Sequence, residues 1–309
     1  MLLKDNIPVK YMAGKIKVEV LFVTLYAVLI AILYNNFHIT RISIPIAVPT
    51  ILGTVISLLL AFKSNQAYDR WWEARTIWGA IVNDTRTLTR QLLTFVDDPY
   101  GSDNEKAFCE RMAKRQIAWC HALSRHLRGH DPMEGLDKLI SQEDIQYIRR
   151  YNNIPLGLQE LQGLDLRNAF KLGWLNEFQQ IQIDKTLSDF SNEMGGCERI
   201  KNTVFPVTYS VYIRFALFLF ILLLPYGLIE FFGVVEVPLV IAIASSFLLI
   251  EKMAVHLQDP FENKPTDTPT TAICATIERD IKQMLKENYR QDEQLTGTSA
   301  QKSKMYYVL

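Results

Sequence analysis

An all-α integral membrane protein is the fold class this sequence predicts, and three observations predict it. Apolar residues are bunched into four runs, Val18–Tyr34, Ile42–Phe62, Tyr209–Leu228 and Val235–Ile250. No stretch alternates apolar and polar residues for long, so no sheet is predicted. Between the second and third runs, apolar residues recur at three- and four-residue spacing, the mark of helices with one buried face. Whole-chain averages conceal this pattern: net charge is zero over 309 residues and 49% of residues are apolar.

A bilayer crossing needs about 20 apolar residues in a helix. The second run meets that requirement without a single charge, and the first and third carry only Glu19 and Arg214. The fourth is short and spans with help from Phe231, Phe232 and Val234. Four crossings are therefore predicted. Lys4, Lys10, Lys15 and Lys17 precede the first run, the next loop offers only Arg41, and the third-to-fourth loop has Glu230 and Glu236 with no basic residue. Basic residues gather on the cytoplasmic side, which puts both termini and the segment Lys63–Pro206 there. The opening MLLKDNIPVKYMAGKIKV lacks a small-residue cleavage site and leads into a full-length crossing, so no cleaved signal is predicted. Cys109, Cys120, Cys197 and Cys274 follow no metal-site spacing and read as buried free thiols in a reducing compartment.

The second run ends in KSNQAYDRWWEAR with no Gly or Pro between Phe62 and Arg75, so one long helix leaves the membrane and continues into water. Gln66–Val96 repeats Trp71, Trp72, Ile77, Trp78, Ile81, Leu88, Leu92 and Phe95 at helical spacing. Asp97-Asp98-Pro99 and Gly101-Ser102 stop it, and Asp103 or Asn104 caps a helix over Glu105–Leu127 that ends at Gly129. Further helices fit Gln142–Tyr151, Gly157–Leu166 and Gly173–Met194, the last broken by Gly195-Gly196. Asp259–Pro269 is an extended, proline-rich strap, Thr270–Asn288 a last amphipathic helix, and Arg290–Leu309 a polar tail. The implied divisions are 1–62 with the first two crossings, 63–206 as a helical region, 207–250 with the last two, 251–290 as strap and helix, and 291–309 as tail.

On the second crossing, Thr54, Leu58 and Phe62 recur every fourth residue and share a stripe that continues to Asn65, Gln66 and Asp69. Copied around a symmetry axis, Leu58 and Phe62 form a hydrophobic constriction that gates by dewetting, with a polar ring beneath. The same stripe is also accounted for by packing against another helix. Pro45 and Pro49 fit a kink in the outer half of this crossing. Arg214 is either a functional intramembrane charge or a side chain snorkelling from near the helix end. Trp71 and Trp72 serve as interface anchors or as packing, and Trp78 as core. His121, His126 and His130 do not share one helical face with a carboxylate, so no metal site is predicted. No nucleophile elbow, Walker loop or H-E-x-x-H is present, and no enzyme or cofactor is implied. Glu73, Asp84, Asp97 and Asp98 read as helix-surface carboxylates paired with Arg70, Arg75, Arg86 and Arg90.

RWWEAR at Arg70–Arg75, GGCERI at Gly195–Ile200 with Asn202 and Phe205-Pro206, and DPF at Asp259–Phe261 occur in the order and topology of one family. In these motifs the chain resembles the bestrophin ion channels, in their bacterial branch, over nearly its whole length up to about Arg290. The resemblance implies a homopentamer around one axial pore in the bacterial inner (plasma) membrane, in contact with lipid and passing monovalent ions, with no nucleic acid bound. It also implies structural roles for Arg70, Trp71, Trp72, Asp259, Pro260 and Phe261, and a pore neck at Thr54, Leu58 and Phe62. Thr54 stands where the family usually has a bulky apolar residue. A cytosolic aperture is implied on the helix before GGCERI, with Ile181, Lys185 and Leu187 as candidates. Animal members bind calcium after the DPF-like motif; here Glu262, Lys264 and Asp267 supply too few oxygen ligands, and no metal is expected. Animal bestrophins resemble chloride channels and some bacterial relatives favour monovalent cations. Asp69 on the traced stripe tilts the expectation to Na+ or K+, while Lys185 argues for anions. A non-conducting membrane scaffold is the remaining alternative.

Overall fold

A computed structural model describes residues 9–36, 43–98, 104–203, 206–264 and 266–287. The expected loop at Pro99, Gly101, Ser102 and Asp103, the residues Arg41 and Phe205, and the tail after Arg290 lie outside them. Among the described residues there is no strand, and the helices are α1 (Val9–Asn36), α2 (Ala47–Phe95), α3 (Asn104–Leu127), α4 (Gln142–Ile148), α5 (Ile154–Lys171), α6 (Glu177–Asn202), α7 (Val207–Phe232), α8 (Glu236–Gln258) and α9 (Thr270–Met284). The chain divides into two units: an apolar one of Lys4–Trp71 and Val204–Asp259, and a polar one of Trp72–Thr203 with the chain from Pro260.

Three helical stretches are long and apolar enough to cross a membrane: Gly14–Asn35, a window within Ala47–Phe95, and Val207–Gln258. The last folds back on itself. Gly233, at φ +53, opens a short 3-10 turn between α7 and α8. Phe220 meets Phe247 at 5.1 Å between ring centroids and Arg214 meets Glu251 at 3.4 Å. Both pairs are nearly equidistant from Gly233 along the chain, so α7 and α8 form an antiparallel hairpin. α1 runs parallel to α7, with the Tyr26 hydroxyl donating to Leu222 O at 2.7 Å, and pairs with α8 through Glu19 and Lys252 at 2.9 Å.

The prolines of the second apolar run do not kink it. Residues 43–45 are non-helical, Ile44 N–H donating to Tyr226 O at 3.1 Å, and α2 starts at Ala47. Pro49 thus sits in the first helical turn, where its missing N–H has no partner to lose. Its ring lies against Gly227, where an added Cβ would approach Pro49 Cγ to 2.6 Å, so the proline serves close helix contact. Glu236, expected in a loop, is instead the first residue of α8 and fully buried.

α2 then runs unbroken for 49 residues, as its lack of Gly and Pro after Phe62 predicts. In the polar unit its buried positions Ala74, Trp78, Ile81, Leu88 and Leu92 meet Met112, Ile117, Trp119 and Leu123 of α3 and Phe190 of α6 in one core. Trp119 and Phe190 lie 5.3 Å apart. α9 closes this core with Cys274, Ile277 and Ile281. Local signals fix the ends: Ser141 caps α4 by accepting from Asp144 N–H, Asn153 caps α5 above Pro155, and Asn176 and Gln179 form a reciprocal capping box on α6. Gly129 ends α3's turn at φ +70. The four cysteines are free and buried. Burial pushes the Cys109 and Cys120 thiols up to about 11 and about 12, which keeps them protonated and unreactive.

α6 does not break at Gly195-Gly196; it continues to Asn202. A Cβ at Gly196 would come within 2.9 Å of Ile77 Cδ1, so this glycine admits α2 rather than ending a helix. Helix-surface ion pairing is also largely between elements. Arg86 binds Asp280 of α9 at 2.6 Å and Glu73 receives Arg199 of α6, because the α2 arginines and carboxylates face neighbouring helices rather than one another.

Arg115 is the most buried cation of the polar unit. It donates to Asp144 at 2.8 Å and to Asp165 at 2.8 Å, joining α3 to α4 and α5. Removing it strands the buried Asp144 carboxylate and leaves Asp165 with Arg111 alone, and breaking a buried pair costs about 3–5 kcal/mol. Arg115→Ala should therefore lower the guanidinium midpoint of tryptophan emission markedly, whereas Arg111→Ala, at an exposed partner of Asp165, should shift it little. Equal effects of the two would remove the special standing of Arg115.

Candidate functional site

The helical periodicity of α2 separates two faces. In the apolar unit Ile56, Leu60, Lys63 and Ala67 are buried, and in the polar unit Ala74, Trp78, Ile81, Thr85, Leu88 and Leu92 are. The positions alternate in steps of three and four residues, with one step of seven between Ala67 and Ala74. The opposite face stays open. Leu58 and Phe62 are 59% and 53% exposed, against 0% and 1% for Ile56 and Leu60. Thr54, Asn65, Gln66, Asp69 and Trp72 are exposed on the same side, while Trp71 is half-buried.

Three details shape this face. The Thr54 hydroxyl donates to Thr50 O at 2.9 Å, so its hydrogen is held by the helix backbone and its methyl group and lone pairs remain outward. Gly53, on the side of α7, brings α2 close to Phe220, where a Cβ would meet Cε2 at 3.1 Å. Lys63, one residue past Phe62, turns away from the open face and binds Glu251 of α8 at 3.4 Å, the two side chains 1% and 4% exposed. Glu251 also receives Arg214 at 3.4 Å. The sequence reading missed this Lys63–Glu251–Arg214 triad. Its signal was the position of Lys63 on the Ile56–Leu60 seam, where an unpaired charge is costly.

The family motifs meet in part. Arg70 Nε donates to Gln258 O at 2.9 Å, and its guanidinium lies 3.8 Å from Asp259, tying the end of α8 to α2. Tyr68 and Trp71 stack at 6.0 Å. Pro260 and Phe261 are buried, Phe261 within the core of the polar unit. In GGCERI, Glu198 accepts from Asn153 at 2.7 Å, with His126 at 3.8 Å. His121 pairs with Glu278 at 3.0 Å. His121 and His126 therefore have separate partners, and among the described residues no three His, Cys, Asp or Glu side chains converge on a metal position. In the strap, Asp267 Oδ2 accepts from Lys264 N–H at 3.0 Å, binding its own loop.

On α6 the aperture candidates separate. Ile181 is 62% exposed and Lys185 is exposed one turn on, so they share an open face. Leu187, 7% exposed, faces inward as part of the core, and a ring residue needs a free side chain. Between α2 and α6 lies a carboxylate that the sequence reading did not single out. Glu193 is buried, and when it is protonated the Asp84 side chain of α2 is its hydrogen-bonding neighbour, with Asp189 of its own helix adding a second negative charge.

These features can be set beside known proteins. Residues 10–283 match the family model described as Bacterial/Fungal Bestrophin protein. The chain belongs to the bestrophin family. Bestrophins are channels, not enzymes, and the chain is thus a membrane protein of an ion-channel family. It is 35% identical over 274 residues to a voltage-dependent anion channel-forming protein of a Nostoc species, covering 87% of this chain and 86% of that one. It is 29% identical over 271 residues to the voltage-dependent anion channel-forming protein YneE of Escherichia coli, covering 88% and 87%. A crystal structure of a bacterial bestrophin homologue from Klebsiella pneumoniae superposes with a TM-score of 0.81 at 27% identity, covering 89% of this chain and all of that one. The cation preference expected from Asp69 gains no support from these comparisons, since the relatives bear the anion name.

Burial first, with Asp84 and Asp189 beside it, pushes the Glu193 carboxyl up from 4.5 to about 9. The folded chain then holds a proton there that the unfolded chain loses near 4.5, so the group's contribution to stability is complete in acid and lost as pH rises towards about 9. Glu193→Gln, neutral throughout, should raise the melting temperature at pH 8 and leave it nearly unchanged at pH 4.5, as read by differential scanning fluorimetry.

Proposed function

We propose that the protein is a homopentameric channel for small monovalent ions, with α2 of each copy facing a central axis. The observation that carries this reading is the open face of α2. It is apolar at Leu58 and Phe62, polar at Asn65, Gln66 and Asp69, and stays uncovered while the opposite face is fully packed. A lipid-facing stripe would have no use for the polar continuation. A cyclic ring of five copies gives each half a role: a neck that dewets at Leu58 and Phe62, and a wetted vestibule beneath it. Thr54 makes the outer end of the neck shorter and wetter. Ile181 forms the second constriction, with Lys185 one turn beyond.

Counting the α7–α8 hairpin as two passes gives four crossings. Lys15 and Lys17 on α1 just ahead of its apolar run, with the basic residues of the polar unit, support cytoplasmic termini and a cytoplasmic polar unit in the bacterial inner membrane. In this reading 1–62 and 207–250 are the membrane segments, and 63–206, 251–290 and 291–309 are the aqueous ones.

The ions are anions on this reading. Its support is the name carried by the Nostoc and Escherichia coli relatives, together with an exposed Lys185 ring, whose five ammonium groups would attract anions and repel cations. A second reading, conduction of Na+ or K+, rests on the exposed Asp69, which would form a carboxylate ring below the neck.

Reversal potential in planar bilayers under a NaCl gradient separates the two. A potential towards that of chloride is expected, with Lys185→Gln moving it towards zero; a potential towards that of sodium, moved by Asp69→Asn, would reverse the assignment. Leu58→Ala with Phe62→Ala should increase the current severalfold by wetting the neck. No current from the parent or from this double variant would remove the channel reading for this chain.

A further inference from the structure

Glu236, the first residue of α8, is 0% exposed inside the apolar unit, and neither of its carboxylate oxygens has a hydrogen-bond partner among the described residues. Its burial is complete within one chain, so a neighbouring copy cannot reach it. The described basic residues of the unit lie towards the other end of α8. Lys63, Arg214 and Lys252 gather around Glu251 and Glu19, and Arg70 meets the chain at Gln258. Glu251 is fifteen residues further along the helix, about 22 Å by helical rise. Glu230, the other acid near the α7–α8 turn, is exposed.

What stands near Glu236 is hydroxyl. Tyr26 of α1 feels both the Glu236 charge and the Tyr226 side chain of α7, and it donates its proton to Leu222 O at 2.7 Å. The titratable groups of the cluster here are Tyr26 and Tyr34 of α1 and Tyr226 of α7, packed with Ile30, Ile229 and Val237. Residues 43–46, which meet α7 at Tyr226 and Gly227, carry no titratable side chain. On either side of Glu236, Val234, Val237 and Pro238 line a groove of about 530 Å³ with Ala31, Ile32 and Asn35. This groove brings the exterior to within one residue of the carboxyl group.

An unpartnered carboxylate is costly in such a place, and an ionisable residue inside a membrane by default signals function. Two features favour the charged form. The first turn of a helix attracts negative charge, and a tyrosine hydroxyl can donate to a carboxylate. The acid is thus poised between its two forms.

We infer that Glu236 is a proton-binding site inside the apolar unit, loaded and emptied through the Asn35 groove, with Tyr26 as the residue that answers its charge. Protonated Glu236 can donate to the Tyr26 oxygen and leaves the Tyr26–Leu222 bond intact. Ionised Glu236 only accepts, and it competes with Leu222 O for the single hydrogen of Tyr26. Loss of the proton therefore loosens a contact that holds α1 to α7. The site uses no residue of the α2 stripe and does not depend on conduction.

The test is labelling of the full-length protein in detergent with dicyclohexylcarbodiimide, which attacks protonated carboxyl groups in apolar surroundings, read by peptide mass spectrometry. Glu236 should be labelled at pH 6, and the label should fall severalfold at pH 9. Added sodium chloride at fixed pH should leave it unchanged. Glu236→Gln should remove the label, and Tyr26→Phe, which takes away a donor to the ionised form, should retain it to higher pH. The parent's own pH and sodium profiles carry the test if a variant does not fold. No label on Glu236 at any pH, or a label indifferent to pH, overturns the proposal. So does loss of the label on adding sodium, because the occupant is then a metal cation. A Tyr26→Phe profile identical to the parent's overturns the role of Tyr26.

Discussion

The rotational phase of α2 is the constraint on which the rest depends. A helix whose buried positions recur at three and four residues keeps one side inward, and the opposite side is then fixed without further specification. In the apolar unit the seam is Ile56, Leu60, Lys63 and Ala67; in the polar unit it is Ala74, Trp78, Ile81, Leu88 and Leu92. Lys63 is the informative member. A lysine in that position is tolerated only with a partner, and Glu251 supplies it at 3.4 Å in a nearly dry setting. Turning α2 by one residue would take Lys63 from Glu251, leave that buried carboxylate with Arg214 as its remaining partner, and move Leu58 and Phe62 off the open face. The ion pair thus sets register more than it adds stability, since a buried pair gains little over well-packed apolar side chains.

Arg70 repeats this logic at the end of α8. Its bond to Gln258 O uses a carbonyl that the helix terminus leaves without an intrahelical donor. The nearby Asp259 carboxylate adds an opposite charge. The apolar unit is therefore held to α2 by polar contacts at Lys63 and Arg70 and by Gly53 against Phe220. Packing alone permits neighbouring registers; directional contacts at separated heights along one helix exclude them.

Much of this was legible in the sequence because it depends on period. The four apolar runs, the unbroken passage from Phe62 to Arg75, the stripe Thr54–Leu58–Phe62 and the amphipathic last helix are all statements about spacing, and spacing survives folding. What was misread depends on neighbours distant in sequence. Gly195-Gly196 looks like a stop, but its meaning comes from Ile77 on another helix. Pro49 looks like a kink, but the helix begins too late for one. Glu73 and Arg86 look like members of ion pairs along the surface of one helix, yet they bind α6 and α9. Leu187 was placed by a loose match of motifs, and its inward direction is set by the α6 core. The Lys63–Glu251 and Asp84–Glu193 meetings join residues more than a hundred positions apart, which no local pattern encodes.

The distribution of charge bears on what the proposed pore would select. Net charge is zero, and many charges of the polar unit are consumed between helices, as at Arg115 with Asp144 and Asp165 or Arg86 with Asp280. Glu193 carries a proton near neutral pH and presents no charge. Asp69 and Lys185 are different, being exposed with no ion pair to the described residues. They have opposite signs and follow different apolar residues, Asp69 lying two turns past Phe62 and Lys185 one turn past Ile181. Coulomb interaction strengthens as the local dielectric falls, so a charge near a dry constriction outweighs one in a wide, wet vestibule. Lys185 is nearer along its helix to Ile181 than Asp69 is to Phe62, and the exposed polar side chains Asn65 and Gln66 stand between Phe62 and Asp69. On that difference in distance and hydration, a Lys185 ring in the proposed pore would have the greater hold on a passing ion.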